Sequence, residues 1–518
     1  MLAFSGSCLR ISSWDVVFAC VVFFLCSCVF DRLTNKGPML WPVLGIMPSI
    51  PLWQDHVYEW SVHALKKAGG TFHFRGAWFG KMYGIVTVDP ANVEYMLKTN
   101  FGNYPKGKYY RERFVDLLGD GIFNADDELW KEQRRVATSE MHSARFVRHS
   151  FGSMQELVHD KLMKILEKTA ESCGVIDLQD ILLRFTFDNI CCAAFGVNPG
   201  CLSPELHRVP FAKAFEESTE LSLFRFLVPP YIWKPMRALG LGTEKRLKEA
   251  VQIVHHFANK TVSDRRSKLK RLGSLNDSSD LLSRLMENKT YCFSDMYLRD
   301  FCISFILAGR DTSSVALVWF FWLIHKHPHV EHRILCEITN VLSRRTEEET
   351  RTPGGGVPFK AQELNEMVYL HAALTESLRL YPAVPIEMKE VREDDVMPDG
   401  TRLRKGARVF CSLHGMGRME EIWGKDCEEF LPERWITEEG RFVSESQFKY
   451  AVFNAGPRLC VGKRFAYTQM KMVAATVLAS YQVRVAEGHV AAPKVTTTLY
   501  MRYGLPVTIH SRKLGGQS

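Results

Sequence analysis

The stretch Phe453-Asn-Ala-Gly-Pro-Arg-Leu-Cys-Val-Gly462 decides how the chain is read. It holds one cysteine, Cys460, between two glycines, with an arginine two residues before it. A thiolate is a strong donor to iron, provided it is kept deprotonated, partly desolvated and shielded from oxidation. Gly456 and Gly462 permit the unusual φ and close approach by which a loop turns its amides toward a sulfur. Such donors stabilise the thiolate charge. Arg458 supplies a fixed cation suited to an anionic group on a bound cofactor, and Phe453 sets a ring beside the loop. A lone buried cysteine is more often a small hydrophobe than a ligand. The spacing Phe-x-x-Gly-x-Arg-x-Cys-x-Gly is what favours the ligand.

That spacing resembles the haem-binding signature of the cytochrome P450 family, and further motifs of the family follow along nearly the whole chain. Working outward, Phe301–Ile324 (FCISFILAGRDTSSVALVWFFWLI) is apolar almost all round. Its length would suit a bilayer, but Arg310 and Asp311 in its middle make a buried core helix the better reading. Within it, Ala308-Gly309-Arg310-Asp311-Thr312 is similar to the family's oxygen-activating motif. The resemblance implies that Ala308 and Gly309 leave room for dioxygen. Thr312 then holds a water or loosens the helix, and Asp311 couples that water to solvent. Glutamate often stands at the position of Ala308 in the animal fatty-acid hydroxylases and bonds the haem; alanine cannot, so the resemblance implies non-covalent haem b.

Glu376-Ser-Leu-Arg379 alone would be an ordinary i,i+3 surface pair. With Phe430-Leu-Pro-Glu-Arg-Trp435 it matches the family's ion-pair elements, and a buried Glu376–Arg379–Arg434 network is expected to hold the core. Trp130-Lys-Glu-Gln-Arg134 places two side chains on one helix face; in the family that face bonds a haem propionate. Lys389 is a weaker candidate for the same task.

Composition sets the frame. The chain has 518 residues, 46% hydrophobic and 24% charged, with a formal net charge of +8. The charge favours acidic partners or anionic membrane surfaces, and no basic tail or zinc-finger spacing points to nucleic acid. The 14 cysteines lie in apolar or helical surroundings and read as reduced thiols rather than a disulfide framework. Val16–Phe30 is uncharged and is slightly short for a bilayer unless Ile11–Asp15 joins it. A cleaved signal peptide is the rival, but Asp31-Arg-Leu-Thr offers no small-residue cleavage site. Arg32 and Lys36 put the bulk of the chain on the cytoplasmic side. Pro38 and Pro42 make Lys36–Gly45 a stiff extended spacer. Two polar stretches, Lys268–Ser279 and Ser343–Pro358, read as exposed loops.

The expected architecture is mainly α with small β-sheets (α+β), the P450 fold. Residues 1–36 form a single-pass anchor in the endoplasmic reticulum and 37–518 a haem-thiolate catalytic domain facing the cytosol. Strands are expected near Phe72–Val88, at Ala407–Cys411 and near the C-terminus. The resemblance implies a monooxygenase fed by NADPH–cytochrome P450 reductase, docking on a basic face with Lys131, Arg135, Lys463 and Arg464. Asn103-Tyr-Pro-Lys-Gly, Leu117-Leu-Gly-Asp-Gly-Ile-Phe-Asn-Ala-Asp126 and Met416-Gly-Arg-Met-Glu-Glu-Ile-Trp-Gly424 resemble the plant fatty-acid ω-hydroxylases, which act in cutin and suberin synthesis. Substrate-lining segments are expected at Tyr104–Gly121, Phe301–Ser313, Ala383–Met388 and Leu499–Gly504. Lys106, Lys108 or Arg111 are candidates for holding the acid's carboxylate, with a solvated loop as the plainer reading. The alternatives are a terpenoid or sterol substrate, or a lipid hydroperoxide isomerase or dehydratase; the intact Asp311-Thr312 pair opposes the latter.

Overall fold

The computed structural model describes residues 12–49, 56–77, 82–207, 209–275, 278–288, 293–345 and 358–512. Near the N-terminus, α1 (Ser13–Thr34) is opened by a capping box. Ser12 accepts from Trp14, and Asp15 accepts from the Ser12 amide at 2.9 Å. No residue of α1 is buried, and Phe18, Phe23, Leu25 and Phe30 face outward. Its 22 residues span about 33 Å, which matches a hydrocarbon core of about 30 Å. The helix thus takes in Ser13–Asp15 beyond the uncharged run, and it is long and apolar enough to cross a membrane. The following spacer is not simply extended. Asp31 accepts from the Leu40 amide at 2.9 Å, and Trp41 and Gly45 exchange backbone bonds of 2.9 and 2.7 Å, so the chain is folded back at the helix foot.

Eight further helices position the site: α2 (Gly107–Leu118), α3 (Asp127–Met141), α4 (Leu178–Phe195), α5 (Pro210–Phe224), α6 (Gly242–Leu272), α7 (Asp295–Lys326), α8 (Val368–Leu380) and α9 (Lys463–Ser480). Ser294 caps α7 by accepting from the Tyr297 amide at 3.2 Å, and nearly every side chain from Leu298 to Ile324 is buried. That explains its lack of a polar face. The helix belongs to the protein core, although its length and apolarity would also suit a membrane. Lys268–Leu272 is the last turn of α6, capped by Gly273 at φ +73°; Lys, Leu and Arg are good helix formers, so only the later part of that polar stretch is a loop. Residues 346–357 of the other expected loop lie outside the described residues.

The main sheet runs β1 (Thr71–Arg75), β2 (Tyr83–Thr87), β7 (Arg408–Ser412), β4 (Ile386–Glu390). β2 and β7 are parallel with Gly84 opposite Arg408, and β4 is antiparallel to β7 with Glu387 opposite Cys411. A smaller sheet joins β3 (Val175–Asp177), β9 (Pro506–Ser511) and β8 (Tyr481–Val485). The architecture is mainly helical with small sheets. Its largest hydrophobic cluster joins α7 to α8 and α9, so the helices on both sides of Cys460 share one core. The described cysteines are all free thiols.

Candidate active site

Cys460 stands three residues before α9. Its amide donates to the Phe453 carbonyl at 2.8 Å, closing the loop on itself. Burial pushes its thiol up from 9.0, while the Gly462 amide, Arg134 and Lys463 pull it down. The same residue has ample open surface. A side chain crowded by protein yet left exposed suits a ligand presented to a bound group. Phe453 packs on Tyr467 with ring centroids 5.2 Å apart.

The two glycines differ. Gly456 has φ +60°, and a Cβ there would lie 2.1 Å from the Leu97 carbonyl oxygen, so the loop needs glycine on both counts. Gly462 has an ordinary φ of −84°, and an added Cβ would sit 3.9 Å from the Cys460 sulfur, a normal contact. The unusual φ expected of Gly462 is absent; Asn454 carries one instead, at +61°. Gly456→Ala is expected to cost about 1–3 kcal/mol of stability, read as a lower denaturant midpoint. An unchanged midpoint would show that the loop relaxes freely.

Four cations converge near this loop. Arg458 Nη2 pairs with Asp126 at 2.7 Å, bonds the Ala125 carbonyl at 3.1 Å and lies 4.4 Å from the Trp130 ring. Lys106 and Lys389 both pair with Glu387, at 3.0 and 2.6 Å. Arg134, one turn beyond Trp130 on α3, is half-buried with no hydrogen bond or ion pair among the described residues. Burial lowers both Arg134 and Arg458; Cys460 pulls Arg134 up and Arg458 pushes it down, while Asp126 and Glu387 pull Arg458 up. Lys389 is fully buried, and burial pushes it down to about 7 against the pull of Glu387. Among the described residues Lys106, Lys389 and Arg458 pair only with Glu387 and Asp126. Cations thus outnumber their paired carboxylates, and with Arg134 unpaired and a buried donor left over at Arg458 Nε the cluster fits an anionic ligand. A haem with two propionates satisfies the charge, and Cys460 is the matching iron donor.

On α7, residues Cys302 to Phe321 are buried except Leu307, Ala308 and Thr312. Ala308 and Thr312 are four apart and share a face, and the Thr312 hydroxyl donates to the Ala308 carbonyl at 2.6 Å. Gly309 is not part of this opening. It faces α4, where an added Cβ would lie 2.6 Å from Ile190; its smallness serves helix packing rather than dioxygen. Asp311 is buried, and Arg310 donates to it at 2.7 Å and to Glu216 of α5 at 2.7 Å. Burial pushes the Asp311 carboxyl up, and Arg310 and Tyr500 pull it down.

Away from this space, Glu376 and Arg379 of α8 form a two-pronged pair at 2.7 and 2.8 Å, both essentially unexposed. Arg434 joins at 3.4 Å and the Trp435 indole at 2.8 Å. On the outer face of α3 and the start of α9, Lys131, Arg135, Lys463 and Arg464 are exposed. The three cations considered as carboxylate holders have carboxylates of their own: Lys106 with Glu387, Lys108 with Glu112 at 3.7 Å, Arg111 with Asp120 at 3.2 Å. Sequence reasoning passed over Asp126, Glu387 and Glu216: Glu387 stands between Ile386 and Met388, but Asp126 and Glu216 each adjoin another acid and carry no local sign.

The chain matches the family described as Cytochrome P450 over residues 36–506. It is 50% identical to Cytochrome P450 86B1 of Arabidopsis thaliana, covering 92% of this chain and 86% of that protein. It is 41% identical to Cytochrome P450 94A2 of Vicia sativa, covering 92% and 91%, and 35% identical to noroxomaritidine synthase 1 of Narcissus pseudonarcissus, covering 93% of each. With an exposed thiol, more cations than paired carboxylates beside it and these likenesses along nearly all its length, the chain belongs to the cytochrome P450 family, monooxygenases that carry haem iron.

Proposed function

We propose that this chain hydroxylates the terminal carbon of long-chain fatty acids, in the supply of cutin- or suberin-type lipids. The observation that carries an apolar substrate is that Leu307 and Ala308 are left partly open on α7, whose neighbouring residues are buried. Hydrocarbon brought there meets hydrocarbon, with the Thr312 hydroxyl as the polar exception. The phrases around Asn103, Leu117 and Met416 support a fatty acid, as does likeness to relatives named Cytochrome P450 86B1 and 94A2. The relative named for making noroxomaritidine favours the second reading, a different apolar substrate.

In this reading Cys460 ligates the iron of a non-covalent haem b, and Trp130, Arg134, Arg458 and Lys389 hold its propionates. The bound haem supplies dioxygen activation, strengthened by electron donation from the thiolate. Ala308 leaves space beside Thr312, and Gly309 lets α7 close on α4. Asp311 holds and releases protons, and Thr312 passes them onward from its hydroxyl. Phe453 and Gly456 shape the loop, and Glu376, Arg379 and Arg434 brace it from behind. Electrons come from NADPH–cytochrome P450 reductase at the exposed face of Lys131, Arg135, Lys463 and Arg464. Residues 1–36 anchor the 37–518 catalytic domain to the endoplasmic reticulum, on its cytosolic side.

The test is turnover of a fatty-acid panel by microsomes holding this chain and a reductase, with and without NADPH. NADPH-dependent ω-hydroxy acids are expected. No product from any acid, despite a sound carbon monoxide difference spectrum, would remove the lipid reading and leave the monooxygenase.

A further inference from the structure

Four buried guanidinium groups in this protein are matched by carboxylates. Arg225 has Glu244 and Asp116, Arg265 has Asp280, Arg310 has Glu216 and Asp311, and Arg379 has Glu376. Arg113 on α2 breaks the pattern. It is 1% exposed, yet no carboxylate lies within 4 Å of it among the described residues. Its Nε donates to the Arg225 carbonyl at 3.1 Å and its Nη1 to the Tyr109 carbonyl at 2.8 Å. A guanidinium has five N–H donors, so most remain unspent. Burial pushes Arg113 down to about 10; Tyr109 and Glu112 pull it up, and Arg408 and Arg225 push it further down. Burying an unmatched cation is costly. Such a group persists where something outside the chain supplies the missing anion.

The walls around it suit one kind of anion. The guanidinium carbon stacks 3.4 Å from the Tyr109 ring centre and 5.2 Å from that of Phe226, just beyond α5. Tyr110, Phe114 and Phe226 continue the aromatic surface, with centroids 4.8 to 6.0 Å apart. Tyr110 in turn lies under Lys106, 4.7 Å from its ammonium, and Lys106 belongs to the cation cluster beside the thiolate loop. A fixed charge at one end, then unbroken aromatic surface leading toward the cofactor cluster, matches an amphiphile with an anionic head and a hydrocarbon chain. The planar fork favours a carboxylate, which it grips through two parallel bonds.

We propose that Arg113 is the anchor for the carboxylate of the substrate, with Tyr109, Tyr110, Phe114 and Phe226 bedding the first methylenes. This rests on the fatty-acid reading above and adds the residue that recognises the acid. Lys106, Lys108 and Arg111 are set aside because each already holds a carboxylate.

The experiment is spectral titration of the purified full-length haem protein with hexadecanoic acid and with methyl hexadecanoate, in the unaltered chain, Arg113→Gln and Arg113→Lys. The unaltered chain is expected to bind the acid more tightly than the ester. Arg113→Gln should weaken acid binding about 10- to 100-fold, the value of a charge-assisted bond, and leave the ester within about twofold. Arg113→Lys should recover only part of the acid affinity, since the charge returns without the fork. Acid binding unaffected by Arg113→Gln, in a chain that still prefers acid to ester, would overturn the anchor and leave the fatty-acid reading intact. Equal losses for acid and ester would also overturn it, showing a packing role. An unaltered chain that binds neither would overturn both.

Discussion

Replacing Glu376 with alanine is expected to lower the stability of the folded protein by about 3–5 kcal/mol, enough to consume much of the 5–15 kcal/mol that holds a typical domain. Glu376 accepts from Arg379 twice, from Arg434, from the Trp435 indole and from the Leu431 amide at 3.1 Å. Without it, Arg379 keeps only the carbonyls of Gly417, Cys427 and Glu429. They solvate the guanidinium but do not neutralise it. Arg379→Ala should be comparably severe, because it strands the carboxylate. The double variant should cost clearly less than the two singles together, since no buried charge is then left alone. Denaturant midpoints and the yield of folded haem protein measure this. Lys449→Ala, which breaks the partly exposed pair with Glu445, is the reference, with an expected effect within about 1 kcal/mol. A Glu376→Ala midpoint equal to that of Lys449→Ala would mean that the network is dispensable.

The contrast between those two pairs shows what a sequence reveals and what it hides. Glu376 and Arg379 are three residues apart, so their meeting is dictated by the helix itself, and their motif context distinguishes them from a surface pair. Arg458 and Asp126 are separated by 332 positions, and nothing local in either segment points to the other. The cation excess that makes the site fit an anion is therefore invisible until the fold brings α3, β4 and the thiolate loop together. Gly309 was legible as a small residue in the right motif, but its reason, Ile190 on α4, comes from a distant helix. Arg113 shows the same limit. On α2 it alternates with Lys108, Arg111 and Glu112 in a charged run, and only burial separates Arg113 from its solvated neighbours. Lys268–Leu272 differs in kind: its polar composition suggests a loop, but helix propensity continues the helix to Gly273.

Asp311→Asn is expected to slow product formation about 10²- to 10⁴-fold, the range that a positioned proton-transfer group supplies, while leaving the fold intact. The substitution keeps shape and volume, and Arg310 retains Glu216 as a counter-charge, so no unmatched cation is created in the core. What it removes is a group able to carry a proton. The Asp311 carboxyl suits that role in three respects. Its Oδ2 is buried with no hydrogen-bond partner among the described residues, so it has a free site for a proton or a water. Burial raises its pKa while Arg310 and Tyr500 hold it down, so its charged form is less favoured than that of an exposed aspartate. It also adjoins Arg310, whose other partner, Glu216, is 40% exposed, which joins the interior to solvent through one side chain. The sign of the pH effect follows from the raised pKa. The charged form of Asp311 is disfavoured in the fold, so this group subtracts stability as pH rises through its folded value, and Asp311→Asn should flatten that slope. Thr312→Ala should act differently. Its hydroxyl is already spent on the Ala308 carbonyl, so its loss should mainly uncouple the reaction, with NADPH consumed faster than product forms. Steady-state turnover, NADPH-to-product ratio and the solvent isotope effect separate the two. If Asp311→Asn turns over within about twofold of the unaltered enzyme, protons reach the site by another path, and the open face at Ala308 and Thr312 becomes the place to look for it.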